Sequence, residues 1–275
     1  MTSHASDTTL ERVADLVTTA LQDHVQLMLF SQSPEGLTAT DAYHVTSRLR
    51  SAFEARGDRI TGRKIGFTNR DMWDAYGVRA PIWGYCTDRT TFDLKDTPIQ
   101  RASDFAEPRI EPEIIFGLGK APLPSMTETD LLDCIEWVSL GYEVVQSIFP
   151  GWRFAAADTI AANALHGALL IGTRHAVAAR RAEWRRELAS FRAELFCDGR
   201  PSQTGGGEIV LGSPLNALRE LVKLLDEDDR NPPLAAGEVV STGTLTLAMA
   251  VEPGQTWTTR VQGIPLDEIT VRFEA

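Results

Sequence analysis

Arg109-Ile110-Glu111-Pro112-Glu113-Ile114-Ile115-Phe116 is the stretch on which the fold turns. A proline between two carboxylates removes a backbone donor and disfavours a helix interior. The apolar, β-branched run that follows reads as a short strand. On a strand, residues i and i+2 share a face, so Glu111 and Glu113 would project side by side into apolar surroundings. Two such anions repel, and burial raises the cost. A hard divalent cation with oxygen ligands relieves both problems. The other reading is a solvated strand face with two surface glutamates.

The whole chain sets bounds on that site. Its 275 residues suit one large domain, or one domain with an added arm. A net charge of −11 and the lack of a basic patch argue against nucleic acid as partner. An anionic substrate would need local cations. Cys86, Cys134 and Cys197 have no paired spacing, which fits neither a disulfide framework nor a thiolate zinc site and points to a reducing compartment. Met1 to Leu10 lacks the apolar run of a signal peptide, and no stretch has the length of a membrane span.

Upstream of the Glu111 stretch, Leu10, Val13, Val17, Ala20 and Leu21 recur at helical spacing over residues 8–22. After a break at Ser33-Pro34-Glu35-Gly36, Thr38 and Asp41 form a capping signal, and the helix they open stops at Gly57. Arg63 to Phe67 reads as a strand, with Thr68 or Asn69 capping a helix over residues 70–76. Lys64, beside Ile65 and between Gly62 and Gly66, is unlike a surface lysine; in an apolar pocket or near a cation it could act as acid or base. Gly77 to Gly84 reads as a loop.

Downstream, Thr127 opens a helix expected to run through Val138. Leu140 to Gln146 is a strand whose Glu143 could supply a third carboxylate. The small residues from Ala155 to Asn163 suit a close-packed helix or the lining of a site. His166 precedes an apolar strand, a position typical of a hydrogen-bonded core histidine. Phe191 to Phe196 turns at Asp198-Gly199, a hairpin signal. Gly205-Gly206-Gly207 reads as a flexible loop. Ser213 and Pro214 start a helix reaching Leu225. Residues 237–273 are β-rich. Helices first, then mixed elements, then strands make the fold class α+β.

Several pieces together resemble a known family. They are Gly62-Arg63-Lys64-Ile65-Gly66-Phe67-Thr68, Ile110-Glu111-Pro112-Glu113-Ile114, Glu143-Val144-Val145, Asp158-Thr159-Ile160-Ala161, Leu211-Gly212-Ser213-Pro214-Leu215-Asn216-Ala217 and Gly237-Glu238-Val239-Val240-Ser241-Thr242-Gly243. In this order the chain resembles the 2-keto-4-pentenoate hydratase and 4-oxalocrotonate decarboxylase branch of the fumarylacetoacetate hydrolase superfamily, over roughly residues 40–275. The resemblance implies a mixed β-rich fold, and together with the helices read upstream it divides the chain into an N-terminal helical arm (1–60) and a catalytic domain (61–275). It also implies a cytoplasmic homo-oligomer and one Mg²⁺ or Mn²⁺ held by Glu111, Glu113 and Glu143. Lys64 matches the active-site lysine, and Ser241 and Thr242 are expected near the substrate. A 2-oxo acid chelates such a metal through its carboxylate and 2-oxo oxygen, and the cation stabilises the enolate.

One departure from the family lies in the Gly77–Gly84 loop, where Arg79 and Ile82 stand at positions expected to be acidic. Arg79 could read a second, distal carboxylate, or could be a surface residue. His166 replaces a small residue and could supply proton transfer. The expected activity is hydration of a 2-hydroxydienoate or 2-oxo-enoate. Decarboxylation of a 2-oxo-enedioate, C–C hydrolysis of an acylpyruvate and a catalytically silent assembly subunit are the alternatives.

Overall fold

The computed structural model of the chain describes residues 5–34 and 36–275. Met1 to His4, the start of the Met1–Leu10 stretch that lacks a signal-peptide pattern, and Glu35 of the Ser33–Gly36 break lie outside the described residues. The helices in chain order are α1 (Asp7–Asp23), α2 (Ala39–Ala55), α3 (Trp73–Tyr76), α4 (Glu128–Leu131), α5 (Ala156–Ala161), α6 (Arg181–Ser190) and α7 (Pro214–Asp226). The first seven strands are β1 (Ile60–Gly66), β2 (Ile82–Thr87), β3 (Thr91–Asp93), β4 (Ile99–Arg101), β5 (Arg109–Leu118), β6 (Ile135–Val145) and β7 (His166–Ile171). The remainder are β8 (His175–Ala176), β9 (Arg192–Cys197), β10 (Arg200–Gly206), β11 (Val239–Thr244), β12 (Met249–Ala250), β13 (Thr256–Gln262) and β14 (Ile269–Glu274).

Among the described residues, nine strands form a mixed sheet ordered β2-β1-β11-β5-β6-β7-β3, with β12 on β5 and β8 on β6. A second sheet runs β10-β9-β13-β14-β4. Segregated helices on mixed sheets make the fold α+β, as the sequence leads one to expect. No described helix is long and apolar enough to cross a membrane.

The N-terminal helices form for the reasons their sequence gives. Ser6 caps α1, whose stripe of Leu10, Val13, Val17 and Ala20 is buried. Thr38 and Asp41 make a reciprocal capping box on α2, which buries Ala42, Val45, Leu49 and Phe53. These side chains belong to the same apolar cluster as Ile65, Trp83, Ile114 and Phe273, so the helical region shares the core of the sheets. Ser213 caps α7 with Pro214 in its first turn, and Asp198-Gly199 joins β9 to β10.

Three local expectations are corrected. The helix opened by Thr127 stops after one turn, at Leu131. Ile135 and Val138, whose spacing also suits a helix, lie on β6, because pairing of Leu118 with Ile135 and Gly117 with Trp137 extends the ladder. The Gly77–Gly84 loop ends at Pro81, since Ile82 pairs with Gly66 and Gly84 with Lys64. Gly205 and Gly206 close β10, and Gly207 opens a short 3₁₀ turn, with Gly206 and Gly207 buried. A Cβ at these positions would stand 1.8 Å from the Leu245 carbonyl oxygen, 2.2 Å from that of Phe191 and 1.9 Å from that of Leu188. These glycines serve close packing and not flexibility.

Candidate active site

The central ladder builds the site. Arg109, Glu111 and Glu113 share one face of β5 by strand periodicity, and Glu143 of β6 stands directly opposite Glu111. The carboxylates of Glu111, Glu113 and Glu143 converge, with one oxygen of each within 4.8 Å of the others. Glu113 and Glu143 are wholly buried, and Glu111 sits half-buried at a cavity wall.

Lys64 reaches this cluster from β1, two strands away, and is 3% exposed. Its Nζ lies 3.0 Å from Glu143 Oε2 and donates to the Ala164 carbonyl, also at 3.0 Å. His166 approaches Glu143 from the opposite side, with Nδ1 at 2.8 Å from Oε1. Its other ring nitrogen, Nε2, is hydrogen-bonded with Thr90 Oγ1 at 3.0 Å. Ser241 Oγ donates to Glu113 Oε2 at 2.5 Å, and the Gly243 N–H donates to the same oxygen at 2.9 Å.

The charges are unbalanced. Burial drives the Glu111 carboxyl up to about 7, and repulsion from Glu143 adds to this against Lys64 and Arg109. Burial pushes Glu113 well above the carboxylate range, reinforced by Glu143 and Glu111. Burial opposes the charge on Lys64, but the three glutamates outweigh it and raise its affinity for a proton. Three carboxylates facing one ammonium, with Glu113 Oε1 buried and unpartnered, fit a divalent cation on chemical grounds.

The cluster opens on a cavity of about 310 Å³ whose wall includes Lys64, Glu111 and Arg109. Phe67, Met72, Ile82, Phe154, Leu165 and Leu247 make it largely apolar. The Arg109 guanidinium stacks on Trp152, 4.1 Å from the ring centre, and has no ion-pair partner among the described residues. Trp152 is itself fixed, because its indole N–H donates to the Glu107 carbonyl at 2.9 Å.

The other expected site residues do not line this cavity. Arg79 pairs with Asp74 on the surface, with its side chain 73% exposed, and does not line the cavity. The αL cap at Gly77 and buried Val78 turn its loop outward. Ser241 and Thr242 are buried behind the carboxylates, and Thr242 Oγ1 donates to the Ile114 carbonyl at 2.8 Å. His166 lines a separate cavity of about 590 Å³, together with Thr90 and Gln146. Sequence reasoning passed over Arg109, although period-two spacing puts it on the face of Glu111. Trp152 and the Ala164 carbonyl gave no local signal, and Asn163 entered only as the end of the small-residue stretch from Ala155.

Comparison with known proteins agrees with this geometry. Residues 63–272 match the model of the fumarylacetoacetate (FAA) hydrolase C-terminal family. The chain is 31% identical to the 2-hydroxyhexa-2,4-dienoate hydratase of Comamonas testosteroni, over 86% of this chain and 87% of that one. It is 32% identical to a 4-oxalocrotonate decarboxylase of Pseudomonas putida, over 92% of each. Its fold matches the solved 4-oxalocrotonate decarboxylase of Pseudomonas putida G7, complexed with magnesium and adipate. That match has a TM-score of 0.89 and 26% identity, over 98% of this chain and 100% of the other. Hydratases and decarboxylases of this kind are lyases. With its motifs, fold and carboxylate cluster in agreement, the chain belongs to the fumarylacetoacetate hydrolase family, in the branch that holds these metal-dependent lyases.

Proposed function

We propose that the chain is a divalent-metal-dependent hydratase that adds water to a 2-hydroxydienoate or its 2-oxo-enoate tautomer in the catabolism of aromatic or related compounds. The observation that carries this reading is Lys64, buried against Glu143 at the carboxylate end of a largely apolar cavity. Glu111, Glu113 and Glu143 would hold Mg²⁺ or Mn²⁺, which supplies Lewis-acid stabilisation of an enolate when bound. Lys64 holds a proton at Nζ beside the cavity and can deliver it to the dienolate carbon chain. The apolar wall excludes bulk water and packs the hydrocarbon part of the substrate. His166 and Ser241 keep Glu143 and Glu113 in place.

A second reading, decarboxylation of a 2-oxo-enedioate, draws on Arg109. A guanidinium on the cavity wall with no ion-pair partner among the described residues suits a distal carboxylate. This moves to Arg109 the role first considered for Arg79. C–C hydrolysis has less support, since His166 faces away from this cavity. Every residue lining the cavity lies between Lys64 and Ala248, which supports a catalytic unit at 61–275 and an arm at 1–60. Three free cysteines support a cytoplasmic setting, and exposed Val25 and Met28 support a homo-oligomer.

Turnover with Mg²⁺ or Mn²⁺ on 2-hydroxydienoates, 2-oxo-enedioates and acylpyruvates, read by mass spectrometry, tests the assignment. Metal-dependent gain of one water without cleavage is the expected result. Release of CO₂ selects the decarboxylase, and two carbonyl fragments select the hydrolase. Metal binding without turnover of any of them would overturn all three.

A further inference from the structure

We propose that Asn163 is a positioning residue for Lys64, acting through the backbone of a left-handed turn. The inference rests on the reading of Lys64 as the proton-holding group of the site. Its origin is a strained segment. Asn163, Ala164 and Leu165 take φ values of 54°, 50° and 63° in succession. Asparagine tolerates this region, whereas alanine and leucine occupy it against the crowding of their Cβ atoms. Such a run persists only where its surroundings hold it.

The Asn163 side chain supplies that hold. It is 3% exposed and binds one residue of β2 twice. The Tyr85 N–H donates to Asn163 Oδ1 at 2.7 Å, and Asn163 Nδ2 donates to the Tyr85 carbonyl at 2.9 Å. β2 is the last strand on this side of the sheet, so the amide takes the place of a further strand. The approach is close enough to require glycine next door. A Cβ on Gly84 would stand 2.4 Å from the Asn163 carbonyl oxygen. Gly84 is also the cross-strand partner of Lys64, so the lysine and the turn flank the same residue.

The consequence is the direction of one carbonyl. Held in this turn, Ala164 presents its oxygen to Lys64 Nζ. The ammonium has three donors. The Ala164 carbonyl takes one and the ion pair with Glu143 Oε2 draws the ammonium to one side, which leaves a donor for the cavity that Lys64 lines. The carbonyl is neutral and keeps its grip whatever other cation Glu143 serves. A polar side chain that made no contact with substrate would therefore set where the proton of Lys64 points.

The test uses the full chain loaded with Mg²⁺. The other lysines, Lys95, Lys120 and Lys223, serve as internal references for reductive methylation with formaldehyde and cyanoborohydride, read by peptide mass spectrometry. Asn163→Ala is expected to raise the Lys64 labelling rate at least tenfold while the references stay within twofold. Turnover of the substrate found above is expected to lose ten- to a hundredfold in kcat, with KM within threefold. That loss is expected to vanish in a Lys64→Met background, because the two changes remove one interaction. Should Asn163→Ala not fold, Asn163→Asp keeps the size and the acceptor but loses the donor to Tyr85, and the same results are expected. Unchanged Lys64 labelling in a folded variant, or losses that multiply with those of Lys64→Met, would overturn the proposal. The labelling arm needs no substrate, so failure of the hydratase reading leaves this inference decided on its own terms.

Discussion

Glu111 and Glu143 stand directly opposite each other across the β5–β6 ladder. Like charges at such a position destabilise a sheet, and burial deepens the penalty. Glu113, two residues along the same face, adds a third carboxylate with an unpartnered oxygen. Lys64 answers only part of this charge. The folded chain therefore stores an electrostatic cost at the point where a cation is expected to act.

Replacing Glu113 by glutamine should expose that cost. The metal-free variant is expected to melt higher than the wild type, because an amide removes one buried carboxylate. The stabilisation on adding Mg²⁺ should be lost with it. At a hundredfold excess over Kd the wild type gains about 2.7 kcal/mol, roughly 5 °C or more in Tm for a chain of this size. A thermal scan of both proteins with and without Mg²⁺ checks this, and equal Mg²⁺ shifts in the two would remove Glu113 from the ligand set.

The pH dependence carries two opposite signs. The Glu111 carboxyl rises from its ordinary 4.5 to about 7 on folding. Between these values the unfolded chain gives up the proton first, so stability of the metal-free protein falls as pH rises through this window. Below about 4.5 the group is protonated in both states and this loss is absent. Metal ligation needs the deprotonated carboxylate, so the Mg²⁺-induced gain in Tm should grow over the same range. Scans from pH 4.5 to 8, with Glu111→Gln as the flattened control, measure both trends. A metal-free Tm that rises across the window in the wild type relative to that control would contradict the assignment.

Much of this was legible in the sequence where local chemistry decides the outcome. The Thr38–Asp41 box, the exclusion of a helix at Pro112 and the Asp198-Gly199 turn are short-range signals, and each formed as read. Glu111 and Glu113 share a face because strand periodicity leaves no alternative. The errors arose where tertiary pairing competes with local pattern. Ile135 and Val138 satisfy a helix in isolation, but ten residues of β5 offer a better partner. Of the two readings of Arg79, a distal-carboxylate reader or a surface residue, its exposed pair with Asp74 favours the second, because the outward turn at Gly77 sets its position, which charge type cannot reveal. The carbonyl of Ala164 carries no side-chain signature at all, so a lysine partner made of backbone was invisible until the 163–165 turn was seen.

Arg109 separates the hydratase and decarboxylase readings. Loss of a charge-assisted pair with a distal carboxylate costs about 1.5–3 kcal/mol, or roughly ten- to a hundredfold in KM. Arg109→Met is therefore expected to raise KM for 2-oxo-enedioates by that factor and to leave monocarboxylic 2-hydroxydienoates within threefold. Steady-state kinetics on the two substrate classes decides it. Equal losses on both would mean that Arg109 serves chiefly to offset the charge of Glu111, which it helps to keep ionised.

His166 makes the last distinction, between a proton-transfer group and a support. Its two ring nitrogens are occupied by Glu143 and Thr90, and it faces a cavity other than the one Lys64 lines. Those contacts favour support: the imidazole fixes the orientation of a carboxylate that the metal is expected to share. Outer partners of this kind alter metal affinity by roughly ten- to a hundredfold. His166→Ala should accordingly weaken Mn²⁺ binding by that factor in a titration, and saturating metal should restore most of kcat. His166→Asn, which retains a donor near Glu143 Oε1, should recover part of the affinity. If kcat stayed depressed by a hundredfold at saturating metal while affinity was unchanged, His166 would have to be moved from the support of Glu143 into the proton-transfer step itself.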